Sequence, residues 1–161
     1  MFRRIALQSV LALLAVSALG ACAHRAPQSV ADAVAQTPTL HSFNALLVEA
    51  GLAETLKGSG PYTVFAPSDA AFKAVPAKTM AELKANKALL KSVLSYHIVP
   101  ARMASADVKP GNAKTLQGAS VALARAGSFI TVEDALVEQA DVTASNGVVH
   151  VVDRVLMPPK K

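Results

Sequence analysis

The chain of 161 residues contains one cysteine, no tryptophan, two tyrosines and five phenylalanines, so aromatics make up only 4% of it. A single thiol, Cys22, excludes an intramolecular disulfide and a zinc site built on several thiolates, so the fold must rest on its core. With no tryptophan and with lysines dispersed along the sequence, there is neither a stacking platform nor a basic stripe, and we expect no nucleic-acid partner. GxSxG, SxxK and HExxH are all absent, which removes the local signatures of common hydrolases and zinc peptidases. Long apolar runs are missing too. The longest, Ile5 to Leu19, is about 15 residues, against roughly 20 needed to span a bilayer, and contains Gln8, Ser9 and Ser17.

What is present at the start has the layout of an export signal: Arg3 and Arg4, the apolar run, then small residues up to Ala21. Leu19-Gly20-Ala21-Cys22 resembles the bacterial lipobox, which predicts cleavage before Cys22, with its thiol carrying a diacylglyceryl group. Residues 1–21 are thus expected to be a lipoprotein signal peptide and 22–28 the lipidated cysteine with a short tether. The two or three acyl chains of a lipoprotein make membrane attachment stable where one would be marginal. Without Arg3 and Arg4, fourteen Lys and Arg face eleven Asp and Glu, and a net charge of +3 is secondary to such an anchor.

One domain is expected over 29–158, with 159–161 a tail. Its organising stretch is Thr63 to Phe72, TVFAPSDAAF. Thr63, Val64 and Phe65 favour a strand, Pro67 ends it, and Ser68 is placed to cap a helix whose first residue, Asp69, suits the positive helix end. Before this corner, Ser29 caps a short helix, Thr39 is expected to cap a second with Leu40, Phe43, Leu46, Leu47 and Ala50 on one face, and Leu52 to Lys57 forms a third. After it, Thr79 with Glu82 reads as a capping box, and Leu89, Leu90, Val93 and Leu94 form one stripe of a longer helix. Tyr96 to Pro100 reads as a strand, and Ala104 to Val108 as a helical turn. Strands follow at Lys114–Leu116, Val121–Ala124, Phe129–Val132 and Val142–Ala144. Asn146-Gly147 predicts a type I′ turn into VVHVVDRVLMP, where Val149, Val151 and Val155 alternate as on a half-buried strand. Asp153 breaks that alternation and is expected near the sheet end, paired with Arg154 or a backbone donor.

TVFAPSDAAF, Tyr96-His97 and NGVVHVVDRVLMP, in that order and spacing, resemble the two signature blocks and intervening Tyr-His pair of the fasciclin domain family. LQG at 116–118 fits as well. Glu133-Asp134 departs from the pattern, since members often carry an asparagine in that turn. The resemblance implies an α+β fold, a twisted β-sandwich wedge of about seven strands with several helices packed alongside and the two signature blocks as central neighbours. Thr63, Phe65, Pro67, Ser68, Asp69, Phe72, Asn146, Gly147, His150 and Asp153 are then signature residues of the fold.

The groups with chemistry are Ser68, Asp69, His97, His150 and Asp153. Ser68 reads as a helix cap before it reads as a nucleophile, and His97 and His150 lack a metal motif, so we expect no catalysis, no metal and no cofactor. His97 is expected to contact the Ser68-Asp69 corner. Fasciclin domains are adhesion and matrix modules, and the resemblance makes Tyr96 and His97 candidate partner contacts, with packing as the alternative. Leu83, Leu89 and Leu90 pose the same choice between a groove and the core. The expected function is that of a monomeric, lipid-anchored, extracytoplasmic module of a bacterial envelope. It would adhere to a surface, a matrix polymer or an envelope protein. The alternative is a periplasmic small-ligand or lipid-binding module, and a remote one a serine hydrolase using Ser68. An adhesin needs an exposed patch or edge, whereas a ligand carrier needs a pocket of hundreds of cubic ångströms.

Overall fold

The structure is a computed structural model that describes residues 28–159; the expected signal peptide, Cys22, most of the expected tether and Lys160-Lys161 lie outside the described residues. Six helices and seven strands follow in the order α1 (Val30–Gln36), α2 (His41–Glu49), α3 (Leu52–Lys57), β1 (Tyr62–Pro67), α4 (Asp69–Ala74), α5 (Ala77–Ala85), α6 (Lys87–Tyr96), β2 (Ile98–Val99), β3 (Gly111–Lys114), β4 (Ser120–Ala126), β5 (Phe129–Val132), β6 (Ala135–Ala144) and β7 (Gly147–Val152). The strands form one sheet in the order β2-β1-β7-β6-β5-β4-β3. It curls until its ends approach, and the Leu116 N–H, just past β3, donates to the Ile98 carbonyl of β2 at 2.8 Å.

Second and third in that order, β1 and β7 run parallel, paired from Tyr62↔Gly147 to Pro67↔Val152. The parallel pair is buried on both faces, so β7 is buried throughout, His150 included, and is not the half-buried alternating strand its spacing predicted. On one face Val64, Ala66, Val149 and Val151 meet Phe43, Leu47, Leu90 and Leu94 from the helices. On the other, Phe65 and Val152 meet Tyr96, Val121, Val132 and Leu156. Each such large side chain contributes about 1.5–3 kcal/mol by leaving water.

Ser29 and Asp32 form a reciprocal capping box on α1, and Ser68 Oγ accepts from the Ala71 N–H at 3.3 Å to cap α4. Thr39 caps nothing: α2 begins after Leu40, which lends it no side chain, and the carboxylate of Asp69 accepts the Ser42 N–H at 2.7 Å instead. Thr79 is not a cap either, because α5 already begins at Ala77 behind Pro76. Proline supplies the fixed φ that a helix start needs and has no N–H to satisfy. Asn86 caps α6. That helix runs through Tyr96, so the strand expected from Tyr96 shrinks to Ile98–Val99. Strand β3 starts three residues earlier than expected and ends at Lys114, and β6 starts at Ala135, its polar, bulged first half having hidden it from a period-two reading.

The final hairpin turns on Ser145-Asn146, with Ala144 opposite Gly147, and neither Asn146 nor Gly147 has positive φ. The type I′ expectation is therefore replaced. Asn146 is used for its side chain: Oδ1 accepts from the Val30 N–H at 2.8 Å, and Nδ2 donates to the carbonyls of Leu56 at 2.8 Å and Gly58 at 2.6 Å. One amide thus joins α1, the end of α3 and the sheet. Gly147 is needed for space, because a Cβ there would lie 2.7 Å from Val30 Cγ2 and closer still to the Tyr62 carbonyl oxygen.

Candidate functional site

The signature residues converge on structural work. Asp69 caps α2 through Ser42, its own N–H donates to the Thr39 carbonyl at 2.8 Å, and His41 Nδ1 lies 3.5 Å from its other oxygen. The Ser42 N–H is the main reason its carboxyl is held below the usual aspartate range. The Asp153 carboxylate accepts the Leu136 N–H at 2.7 Å, while Arg154 pairs with Asp134 at 3.1 Å. Thr63 donates its hydroxyl to the Ala101 carbonyl at 2.6 Å and accepts from the Met103 N–H, pinning the segment after β2.

His97 does not reach the Ser68-Asp69 corner. Its Nδ1 donates to the Val93 carbonyl at 2.8 Å and its Nε2 accepts the Leu156 N–H at 2.9 Å, while its own carbonyl receives the Phe65 N–H. The neutral tautomer with a proton on Nδ1 is the one that satisfies both partners. The ring is wholly buried, 5.9 Å from Phe43, and burial pulls its pKa down to about 4. His150 is the mirror case: Nε2 donates to the Met103 carbonyl, Nδ1 accepts from the Asp141 N–H, and the ring stacks on Phe65 at 5.6 Å. Burial lowers its pKa as well. With all four ring nitrogens engaged in this way, neither histidine has a nitrogen to serve Ser68 as a base.

Tyr96 is 2% exposed, its hydroxyl donating to the Ser120 carbonyl at 3.1 Å and the Glu133 carboxylate at 3.2 Å. Burial first, and then the Glu133 charge, push the phenol up to about 12. The candidate partner contacts Tyr96 and His97 thus lie inside the fold, and a partner docking on the surface meets almost nothing of them. Glu133 occupies the departing position with φ of 56°, a region where asparagine is more at home. Its side chain compensates by accepting from both Tyr96 and the Ala122 N–H. A second positive φ, 60° at Asp141, was not foreseen; there the carboxylate takes the N–H and hydroxyl of Ser105.

These histidines set an acid limit. Each binds its proton more weakly folded than unfolded, where a histidine titrates near 6.5, so the unfolded state takes up more protons in the interval. Their contribution is complete above about pH 6.5 and is lost as pH falls toward the folded value, about 4 for His97. Urea midpoints at constant ionic strength are expected to fall steadily from pH 7 to pH 4.5, above the range where Asp69 and Asp141, both with lowered pKa, titrate. A flat profile over that interval would contradict the buried neutral rings.

The surface that is open lies elsewhere. A groove of 740 Å³ runs between α4–α6 and the segment Asp153–Pro158. Leu83, Leu89 and Val93 line one wall, Val155, Met157 and Pro158 the other. Of the helical stripe, Leu83 and Leu90 are buried in the core, whereas Leu89 is 39% exposed, and on the opposite wall Met157 is 44% exposed. The sequence signalled the leucines but not the C-terminal wall, because Met157-Pro158 reads as the end of a strand. Among the described residues no group of three or more His, Cys, Asp or Glu is placed to hold a metal ion, and no helix is long and apolar enough to cross a membrane.

Comparison with known proteins gives a consistent result. The immunogenic protein MPT70 of Mycobacterium tuberculosis is 43% identical over 135 residues, covering 81% of this chain and 69% of its own. The cell surface glycolipoprotein MPT83 of the same organism is 38% identical over 145 residues, 87% of this chain and 65% of its own. Protein sll1483 of Synechocystis is 38% identical over 133 residues, 81% and 74% of the two chains. The fold is similar to about half of a FAS1 domain pair from the insect cell adhesion molecule fasciclin I, with a TM-score of 0.64 at 17% identity, covering 81% of this chain and 51% of that one. Residues 38–158 match the fasciclin domain family, and with the signature strands β1 and β7 paired as neighbours in the sheet the chain belongs to that family.

Proposed function

We propose that the chain is an exported binding module, held in the bacterial envelope by lipid on Cys22, that works without catalysis and binds through the groove between α4–α6 and Asp153–Pro158. The observation that carries the reading is the groove itself: 740 Å³, mostly aliphatic, within the size range of small-molecule sites. Of the two uses weighed from the sequence, a concave site favours capture of an apolar ligand over adhesion. Adhesion keeps support from Phe129, 64% exposed at the tip of the β4–β5 hairpin, and from relatives named for the cell surface and for cell adhesion. Export and anchoring rest on the lipobox and on the name of the glycolipoprotein relative.

Leu89→Glu tests the groove with little cost to the fold, since position 89 is the third residue of α6 behind the Asn86 cap, where a glutamate is favoured. N-phenylnaphthylamine, a neutral dye that brightens on leaving water, is expected to bind the wild type and to bind Leu89→Glu about tenfold more weakly, a difference near 1.4 kcal/mol, with an unchanged melting midpoint. Equal binding would remove the groove as the site. For the anchor, Cys22→Ser is expected to move the protein from the membrane fraction to the soluble one.

A further inference from the structure

The N-terminal segment leaves the domain at one end of the sheet. The Ser145 N–H, between β6 and β7, donates to the Gln28 carbonyl at 2.8 Å, so the residues leading back to Cys22 depart beside the Ala144 end of β6. Strand β5 runs antiparallel to β6 with Val132 opposite Ala135, which places Phe129 at the end of β5 directed toward Ala144. The β4–β5 turn therefore points the same way along the sheet as the N-terminal segment. Phe129 closes that turn, paired with Ala126 across Gly127-Ser128, and at 64% it is the most exposed large apolar side chain among the described residues.

The hairpin is suited to meeting an apolar layer. From Ser120 to Val132 it has no acidic residue, and its one charged side chain, Arg125, is held against backbone carbonyls. The guanidinium donates to the Gly127 carbonyl at 3.0 Å within the turn, and to the Ser105 and Ala106 carbonyls at 2.9 and 3.2 Å. The first bond keeps a turn carbonyl satisfied away from water, and the other two, with the Ser105 N–H on Asp141, fix the hairpin to the segment after β2. The opposite end of the sheet is charged: Glu133 and Asp134 form the β5–β6 turn, and Asp153 and Arg154 follow β7. Those groups would lose hydration on meeting a bilayer.

We infer that the β4–β5 turn is a second membrane contact, the Phe129 ring seated in the headgroup layer of the phospholipid bilayer that holds the lipid on Cys22. The inference rests on the anchor proposed above. Six residues lead from Cys22 to Gln28 and reach at most about 20 Å, so an anchored domain stays close to the bilayer surface. One phenyl ring would not hold a free protein there, but in a tethered one the second contact is intramolecular and a weak one suffices. The contact sets an orientation. The groove, bounded by Asp153–Pro158 beyond the far end of β7, is then turned away from the lipid and left open to solution.

With the Cys22 thiol acylated, a cysteine introduced as Ser128→Cys in the turn, or as Asp134→Cys at the other end of β5, is the one free thiol in the chain. The acylated chain, labelled at either position with a nitrobenzoxadiazole dye, is reconstituted into vesicles of phosphatidylethanolamine and phosphatidylglycerol that carry a doxyl-labelled phospholipid with its quencher near the headgroup. Quenching is expected to be at least about threefold stronger at 128 than at 134, and Phe129→Ser to remove most of that difference with flotation and melting midpoint unchanged. Equal quenching at the two positions, or none at either in a chain that floats with the vesicles, overturns the contact, leaves the anchor standing and favours a protein as the partner of Phe129. Stronger quenching at 128 that survives Phe129→Ser overturns the phenyl ring as its cause. A chain that does not float overturns the anchor, and the contact with it.

Discussion

Gly147→Ala is expected to leave no cooperative unfolding transition, a loss above about 4 kcal/mol and comparable with the whole stability of a small domain. A β-carbon at 147 would lie 2.9 Å from the Tyr62 carbonyl carbon, nearer its oxygen, and 2.7 Å from Val30 Cγ2. Neither neighbour is free to yield. Tyr62 begins β1, whose register is held by β7 on one side and by β2 on the other, and the Tyr62 N–H already donates to the Asn146 carbonyl at 3.0 Å. Val30 is fully buried, with its N–H on Asn146 Oδ1. Thermal and urea melts followed by circular dichroism decide the point, with Gly127→Asn as control, since nothing lies within 4 Å of that position and asparagine tolerates its φ of 61°. An alanine variant within about 1 kcal/mol of wild type would mean that β1 and β7 do not approach so closely.

His97→Ala is expected to cost about 3–5 kcal/mol. The substitution empties the space beside Phe43 and strands two buried backbone groups, the Val93 carbonyl and the Leu156 N–H, far from water. It is also expected to flatten the stability profile between pH 4.5 and 6.5, because the ring that resists protonation is gone. His97→Gln, able to offer an acceptor toward Leu156, should recover part of the loss. A stable His97→Ala with an unaltered pH profile would contradict the geometry. Such a destabilisation would also explain any effect of this substitution on partner binding without direct contact, since His97 fastens Val93 on one wall of the groove to Leu156 between residues of the other.

Much of the fold was legible because it was written in local chemistry. Ser29 and Ser68 cap helices from positions where the side chain can only bond the turn that follows, as their place in the sequence predicts. Thr39 failed because the cap of α2 comes from Asp69, 27 positions away, and nothing local announces a cap in trans. Asn146-Gly147 failed differently. The pair has the composition of a tight turn, but its amide bonds α1 and α3 and its glycine admits a neighbouring strand, both long-range demands that mimic a local one. The candidate site was half legible: the leucine stripe of α5 and α6 is periodic, while the wall from Val155 to Pro158 becomes a wall only once His97 has tied Leu156 in place.

The pairing of Tyr62 with Gly147 spans 85 positions, and it opens the parallel ladder of β1 and β7. A chain emerging in order, from a ribosome or through a membrane pore, therefore holds β1, its strand-to-helix corner and all six described helices long before the strand that buries them exists. Contacts of such sequence separation are slow to form and come late. For a protein exported unfolded, as proposed above, the delay is useful: until β7 follows, β1 lacks its parallel partner, and premature folding on the wrong side is discouraged by the order in which the strands are made.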